Sequence, residues 1–191
     1  FIAFAISFLI PFVMGVYLSF TEFTTVTNTQ WVGLANYVKA FTGSRDFLNA
    51  LWFTVKFTVV SVITINLLSF ALAMLLTRAM KGTNLFRTVF FMPNLIGGIV
   101  LGYISVSYTH LRFWGLVVLM NWRLVGYMMV IYIAGIQNIS GELTEAAAID
   151  GASGWQSLIH VTIPNVMPSI TICTFLTLTN SFKLFDQNFA L

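Results

Sequence analysis

The chain has 191 residues, 58% of them hydrophobic, with nine Lys and Arg, six Asp and Glu, and a net charge of +3. Charged residues make up 8%, against about a quarter in a soluble domain, too few to coat a globule in water. That argues against a water-soluble enzyme and for an integral membrane protein; the cations are scattered, so no nucleic-acid footprint is formed.

A spanning helix needs about 20 mostly apolar residues at about 1.5 Å each. The first such stretch runs from Phe1 to Phe20 and holds Pro11 and Gly15. It has no basic leader and no small-x-small cleavage site, so it reads as a span and not as a signal peptide. The chain is apolar from Phe1 and stops at Leu191 without a polar tail, so an internal piece of a longer polytopic protein is expected. A polar segment, Thr21 to Asn49, follows. The second span covers about Leu51 to Leu76, with Lys56 early enough to snorkel. A basic turn from Thr77 to Arg87 leads to a third span, about Thr88 to Ile104, carrying Pro93 and the close-packing pair Gly98-x-x-x-Gly102. After a short link, Ser105 to Arg112, comes a fourth span, about Trp114 to Ile136, and after a long loop, Gln137 to Pro168, a fifth, about Pro168 to Phe185. The expected fold is therefore all-α, a single transmembrane domain of about five helices over residues 1–191.

Span parity puts the basic turn and the long loop on one side. The positive-inside count ties, with Arg78, Lys81 and Arg87 against Lys39, Arg45 and Arg112, so it does not orient the chain.

The long loop carries the most information. Ser140 is placed to cap a helix whose first turn contains Glu142, and Ala146, Ala147 and Ala148 are strong helix formers. Asp150-Gly151 marks a turn, and Ser153 offers a second cap. Trp155, Leu158, Ile159 and Thr162 then recur at helical spacing as one apolar face, with Pro164 and Pro168 expected to stop that helix before the membrane resumes. Such a helix-turn-helix cannot span a bilayer and has an apolar face to bury, against another protein, against its own chain, or as an amphipathic pair at the interface.

Glu145-Ala146-Ala147, Gly151, Val161 and Ile163-Pro164, at this spacing, resemble the EAA loop of binding-protein-dependent ABC importer permeases. The sequence Glu145-Ala-Ala-Ala-Ile-Asp-Gly-Ala152-x-x-Trp155 is similar to the carbohydrate branch (multiple-sugar, maltose and glycerol-phosphate permeases), as are Gly33-Leu34-x-Asn36-Tyr37, Phe90-Phe91-Met92-Pro93 and Phe182-Lys183-x-Phe185-Asp186-Gln187. Between Tyr103 and Trp114 the chain departs from that pattern, with a link shorter than the family's outer segment. The resemblance implies a type I importer permease fold and a multi-pass protein of a bacterial or archaeal plasma or inner membrane. It also implies a cytoplasmic loop, formed by Glu145, Ala146, Ala147, Asp150, Gly151, Ala152, Val161, Ile163 and Pro164, that docks on a separate ATPase subunit. Partners would be ATPase subunits, a second related permease, an extracellular or periplasmic sugar-binding protein and membrane lipid, with ATP and Mg held by the ATPase.

This chain has no Gly-x-x-x-x-Gly-Lys-Ser/Thr loop, and none of Lys39, Lys56, Lys81 and Lys183 follows a glycine, so it is expected to hydrolyse no ATP, bind no cofactor and carry no catalytic residues. His110 and His160 fall on opposite sides of the expected membrane and cannot share a metal. Arg123 lies in mid-span, where a lipid-facing charge is unfavourable by a few kcal/mol or more. It reads either as a structural Arg or, with Trp122 and Tyr127, as lining for a sugar path; Asn180, Phe185 and Asp186 are further candidates for that path. Asn66 and Asn180 read as interhelical glue before substrate contacts. The other class left open is a secondary transporter or channel working without ATP, which would favour paired ionisable residues within spans.

Overall fold

The computed structural model describes residues 2–25, 28–43, 45–77, 82–95 and 112–183. The chain divides into two compact units, Phe1–Phe53 and Thr54–Leu191.

The first unit opens with α1, Ile2–Ser19, an apolar helix none of whose residues is buried. Phe4, Phe8 and Phe12 stack along one side, with ring centroids 5.3 and 6.3 Å apart. The helix passes Pro11 through a π-helical segment, Ala5–Leu9, whose wider turn accommodates a residue that lacks an N–H. Strands β1 (Thr21–Thr25) and β2 (Asn28–Trp31) then form a short antiparallel hairpin, pairing Thr21 with Trp31 and Glu22 with Gln30. The hairpin is the one departure from all-α architecture among the described residues. Helix α2, Ala35–Val38, continues as a π-helical turn, Lys39–Gly43, and α3, Arg45–Leu76, begins in this unit.

In the second unit α3 presents a buried stripe of mostly small side chains, Thr54, Thr58, Ser61, Ile65, Ser69 and Ala73, at helical spacing. Helix α4 covers Thr83–Leu95. Helix α5, Arg112–Gln137, buries large side chains instead: Met120, Leu124, Met128, Met129, Tyr132 and Ile133. After α6, Gly141–Ile149, the last helix, α7, runs Gly154–Lys183 and buries Val166, Cys173, Thr177 and Ser181. Large knobs on α5 thus sit between stripes of small residues on α3 and α7, which is how membrane helices approach closely when lipid is as apolar as the core.

Cross-helix contacts fix the directions. Phe57 meets Phe113, Thr64 meets Asn121 and Phe70 meets Tyr132, so α3 and α5 run parallel. Gly135 meets Ser169, Met128 meets Cys173 and Met120 meets Ser181, so α5 and α7 run antiparallel. Polar bonds cross the same seams: Ser69 Oγ donates to the Val125 carbonyl at 3.0 Å, and Tyr132 Oη donates to Asn66 Oδ1 at 2.6 Å. Asn66 is therefore interhelical glue. Arg87 on α4 donates to the Leu76 carbonyl at 3.3 Å, so a cation covers the C-terminal end of α3.

Several helix limits differ from those read in the sequence. Helix α3 starts at Arg45 and not near Leu51, and α4 starts at Thr83 and not near Thr88. Hydropathy marks the part of a helix that can sit in lipid, whereas backbone hydrogen bonding continues into polar flanks. The largest difference is α7. Pro164 and Pro168 do not stop it; the helix is continuous from Gly154, and the π-helical segment Leu158–Thr162 carries it past Pro164 as Ala5–Leu9 carries α1 past Pro11. Among the described residues, four helices are long and apolar enough to cross a membrane: α1, α3, α5 and α7. The Gly98-x-x-x-Gly102 pair, the 105–111 link and His110 lie outside the described residues.

Candidate functional site

Helix α6 grows from the run Glu142-Leu-Thr-Glu-Ala-Ala-Ala148 and ends in a Schellman motif. The Ala152 N–H donates to the Ala147 carbonyl at 2.9 Å, and the Gly151 N–H donates to the Ala148 carbonyl at 3.1 Å. Gly151 occupies the left-handed position, with φ of +74°. The interval from Ala147 to Gly151 is thus the interval a Schellman cap requires, and Ala147 and Ala152, whose backbones close the motif, are its half-buried pair. Two residues later Ser153 starts α7 with a full capping box: its Oγ accepts from the Gln156 N–H at 3.3 Å, and Gln156 Oε1 accepts from the Ser153 N–H at 2.7 Å. Ser140 precedes α6 but makes no side-chain cap bond, contrary to the sequence expectation; its carbonyl accepts from the Leu143 N–H instead. Two caps back to back reverse the chain within a few residues, and α6 folds against the first turns of α7.

This elbow buries little of itself. Glu145, Ala146, Asp150 and Gly151 are exposed. Ile149 is 85% exposed and Trp155 69%, flanking the turn, with Leu143 and Ile159 also open. The single apolar face expected over Trp155, Leu158, Ile159 and Thr162 is divided: Thr162 is buried and Leu158 half-buried, while Trp155 and Ile159 face outward. The π-helical turn at Leu158–Thr162 shifts the phase of the stripe, so a 3.6-residue count groups residues that the helix separates. Val161 and Ile163 are half-buried and Pro164 is exposed. Ile149 was not singled out in the sequence; an isoleucine ending a helix beside Asp150-Gly151 is the signal that would have found it. Glu142, Glu145 and Asp150 make the elbow acidic, and no Lys or Arg occurs from Gln137 to Asn165. The result is an outward surface of large apolar side chains ringed by carboxylates, joined rigidly by two caps to a membrane-length helix.

The candidates inside the bundle fall in one slice of it. Arg123 lies between Met120 and Met128 on α5, and Asn180 between Cys173 and Ser181 on α7, so the antiparallel register sets both at similar depth. Arg123 is half-buried, and its Nε is buried with no hydrogen-bond partner. Asn180 Nδ2 donates within its own helix, to the Leu176 carbonyl at 2.8 Å, rather than across to a neighbour. Tyr127 packs its ring against Phe91, centroids 6.3 Å apart, where α4 and α5 touch. That touch depends on Gly126: a Cβ there would collide with the backbone carbonyl of Phe90. Phe185 and Asp186 lie outside the described residues. Among the described residues no group of three or more His, Cys, Asp or Glu is arranged to hold a metal.

Membrane-length helices, two of them joined by an exposed, doubly capped elbow, define a multi-pass membrane protein. Residues 81–187 match the family described as binding-protein-dependent transport system inner membrane component, and the chain belongs to that family. It is 41% identical over 206 residues to the probable starch degradation products transport system permease protein AmyD of Thermoanaerobacterium thermosulfurigenes, covering 96% of this chain and 70% of that protein. It is 28% identical over 209 residues to the multiple sugar-binding transport system permease protein MsmF of Streptococcus mutans, covering 96% of this chain and 72% of that one. In fold it is similar to a chain in the crystal structure of a bacterial ABC transporter involved in the import of the acidic polysaccharide alginate. That match has a TM-score of 0.74 at 21% identity, over 96% of this chain and 70% of the other. The family is one of transport permeases and not of enzymes, and membership favours the importer reading over a carrier or channel working without ATP.

Proposed function

We propose that this chain is a permease subunit of an ATP-driven carbohydrate importer, and that its elbow, residues 140–164, is the handle through which a separate ATPase subunit moves the bundle. One observation carries the reading: Ile149 and Trp155 stand open on either side of a doubly capped turn. A turn locked by a Schellman motif and a capping box transmits displacement instead of absorbing it, and an exposed Trp such as Trp155 is among the side chains that dominate protein interfaces. The acidic rim suits a partner with a basic groove. The elbow lies on the cytoplasmic side of the plasma or inner membrane in this reading, since ATP is found there, and ATP and Mg are held by the ATPase.

Sugar as the cargo is supported by the relatives, whose names give starch degradation products and multiple sugars as what they transport. Within the bundle, Arg123, Tyr127 and Asn180 are the described residues we assign to the path, with Phe185 and Asp186 beyond them. An Arg with an unpartnered Nε in a membrane helix is poised for hydroxyl or carbonyl oxygens arriving from a ligand or a second permease. A second related permease and an external sugar-binding protein complete the assembly.

Co-expression with the ATPase subunit tests this reading. The ATPase subunit is expected to be retained with the permease in detergent and lost with a Trp155→Ala, Ile149→Ala double variant that still inserts. Retention unaffected by that variant, or sugar uptake in vesicles that proceeds without ATP, would overturn it.

A further inference from the structure

The segment between α1 and α3 is polar by composition, yet its described residues fold against the ends of both helices and expose several large apolar side chains. Asn36 Nδ2 donates to two carbonyls at the exit of α1, Ser19 at 3.1 Å and Thr21 at 2.9 Å. The Ser19 and Tyr37 hydroxyls are hydrogen-bonded at 2.7 Å, and the Val32 N–H donates to the Phe20 carbonyl at 3.0 Å. Around these bonds four rings cluster: Phe20 stacks on Trp31 at 5.6 Å and tilts against Tyr37 at 5.5 Å, and Tyr17 meets Trp31 at 5.9 Å. At the other end Phe41 packs edge-on against Phe47 in the first turns of α3, at 5.4 Å. The segment is thereby held at both ends to the helices it joins.

Among what it leaves uncovered are large apolar side chains. Trp31 is 64% exposed and Leu34 63%, and Val38 and Phe41 are more than half exposed. Leu34 and Val38 lie four residues apart on one side of the α2 turn, and Phe41, in its π-helical continuation, is exposed with them. Lys39 and Arg45 are exposed beside this stripe.

We propose that residues 31–43 are a membrane-interface collar, with Trp31, Leu34, Val38 and Phe41 dipping into the boundary between headgroups and acyl chains and Lys39 reaching the lipid phosphates. Continuity selects lipid as the occupant. The collar is bonded directly to the end of α1, a membrane-length helix with no buried residue, and the exposed apolar side chains of α1 reach the collar through Tyr17, whose ring meets Trp31. Trp and Tyr at the end of a span, followed by an apolar stripe with a flanking Lys, form the amphipathic chemistry that sits at this depth. The collar sets the level at which α1 leaves and α3 enters the bilayer, independently of the cargo.

The test uses the whole transporter, with its ATPase subunits, in lipid nanodiscs. A nitroxide is attached in turn at Leu34→Cys, Val38→Cys and Phe41→Cys, and at Glu22→Cys as a reference on the exposed hairpin, in a Cys173→Ser background. Collision rates with oxygen and with a water-soluble nickel chelate are then read by electron paramagnetic resonance. Oxygen is expected to exceed nickel several-fold at the three collar sites, with the order reversed at Glu22. Nickel accessibility at the collar equal to that at Glu22 would overturn the proposal by placing the stripe in water. Loss of access to both reagents at all three sites would overturn it in favour of a protein subunit covering the stripe. The three labels are separate variants on exposed positions, so failure of one to assemble leaves the other two to decide.

Discussion

Helix α5 and the elbow that follows it are neighbours in sequence and opposites in packing. In α5 half of the membrane-length window is buried, with side chains as large as Tyr132, Met128 and Met129 enclosed in a helix that packs on α3, α4 and α7. In α6 no residue is buried, although it is rich in alanine and carries a leucine and an isoleucine. The two regions differ in what satisfies them. Helix α5 finds small-residue stripes within its own chain, whereas the elbow meets only its own backbone requirements, through two caps, and leaves Ile149 and Trp155 open. Internal capping with external exposure is what the proposed docking of an ATPase subunit would use.

The contrast can be broken most severely at Gly126. Gly126→Leu would force a side chain into the Phe90 carbonyl, and overpacking of this kind costs about 1–3 kcal/mol and at times more. Backbone cannot move aside as a side-chain tip can, so the upper part of that range is expected, read as a loss of folded complex on thermal melting in detergent. Wild-type melting behaviour would show that α4 and α5 do not meet there.

Next in size is Gly151→Pro, which removes the N–H that bonds the Ala148 carbonyl and cannot adopt a φ of +74°. Roughly 1–3 kcal/mol of local strain is expected, confined to the elbow. ATP-dependent uptake should fall at least several-fold while insertion and α5 packing are retained; unimpaired uptake would separate the cap from coupling.

Trp155→Ala should weaken capture of the ATPase subunit by about 2 kcal/mol, the scale of an interface hot spot, or roughly thirtyfold in affinity, with no change in melting of the permease alone. A stability loss without an affinity loss would mean that Trp155 serves its own chain.

The smallest effect sharpens the comparison within the elbow. Ser153→Ala removes a cap and should cost about 1 kcal/mol of local stability, visible as faster amide exchange in the first turn of α7. Ser140→Ala removes no cap bond and should leave exchange in α6 unchanged.

The elbow was the most legible part of the sequence. Ala147, Gly151 and Ser153 act through backbone rules that operate over four to six residues, so their spacing already specifies a cap, a reversal and a second cap. Ser140 shows the limit of such rules: its residue type permits a cap, but its hydroxyl makes no cap bond. The division of Trp155 and Ile159 from Leu158 and Thr162 was hidden because a π-helical turn changes the period on which the pattern was counted. In the bundle, Asn66 was recognisable as a polar group needing a partner, but that the partner is Tyr132, 66 residues away, was not.

By itself the sequence determined the solvent, since 8% charged residues over 191 can be reconciled only with lipid, and it determined the elbow, because capping is local chemistry. Tertiary structure alone decided that α5 is the helix between α3 and α7, that Gly126 is where α4 touches it, and that Pro164 lies inside a continuous helix. Those outcomes depend on which surfaces meet, and in a chain apolar nearly everywhere hydropathy cannot distinguish a face that meets protein from one that meets lipid.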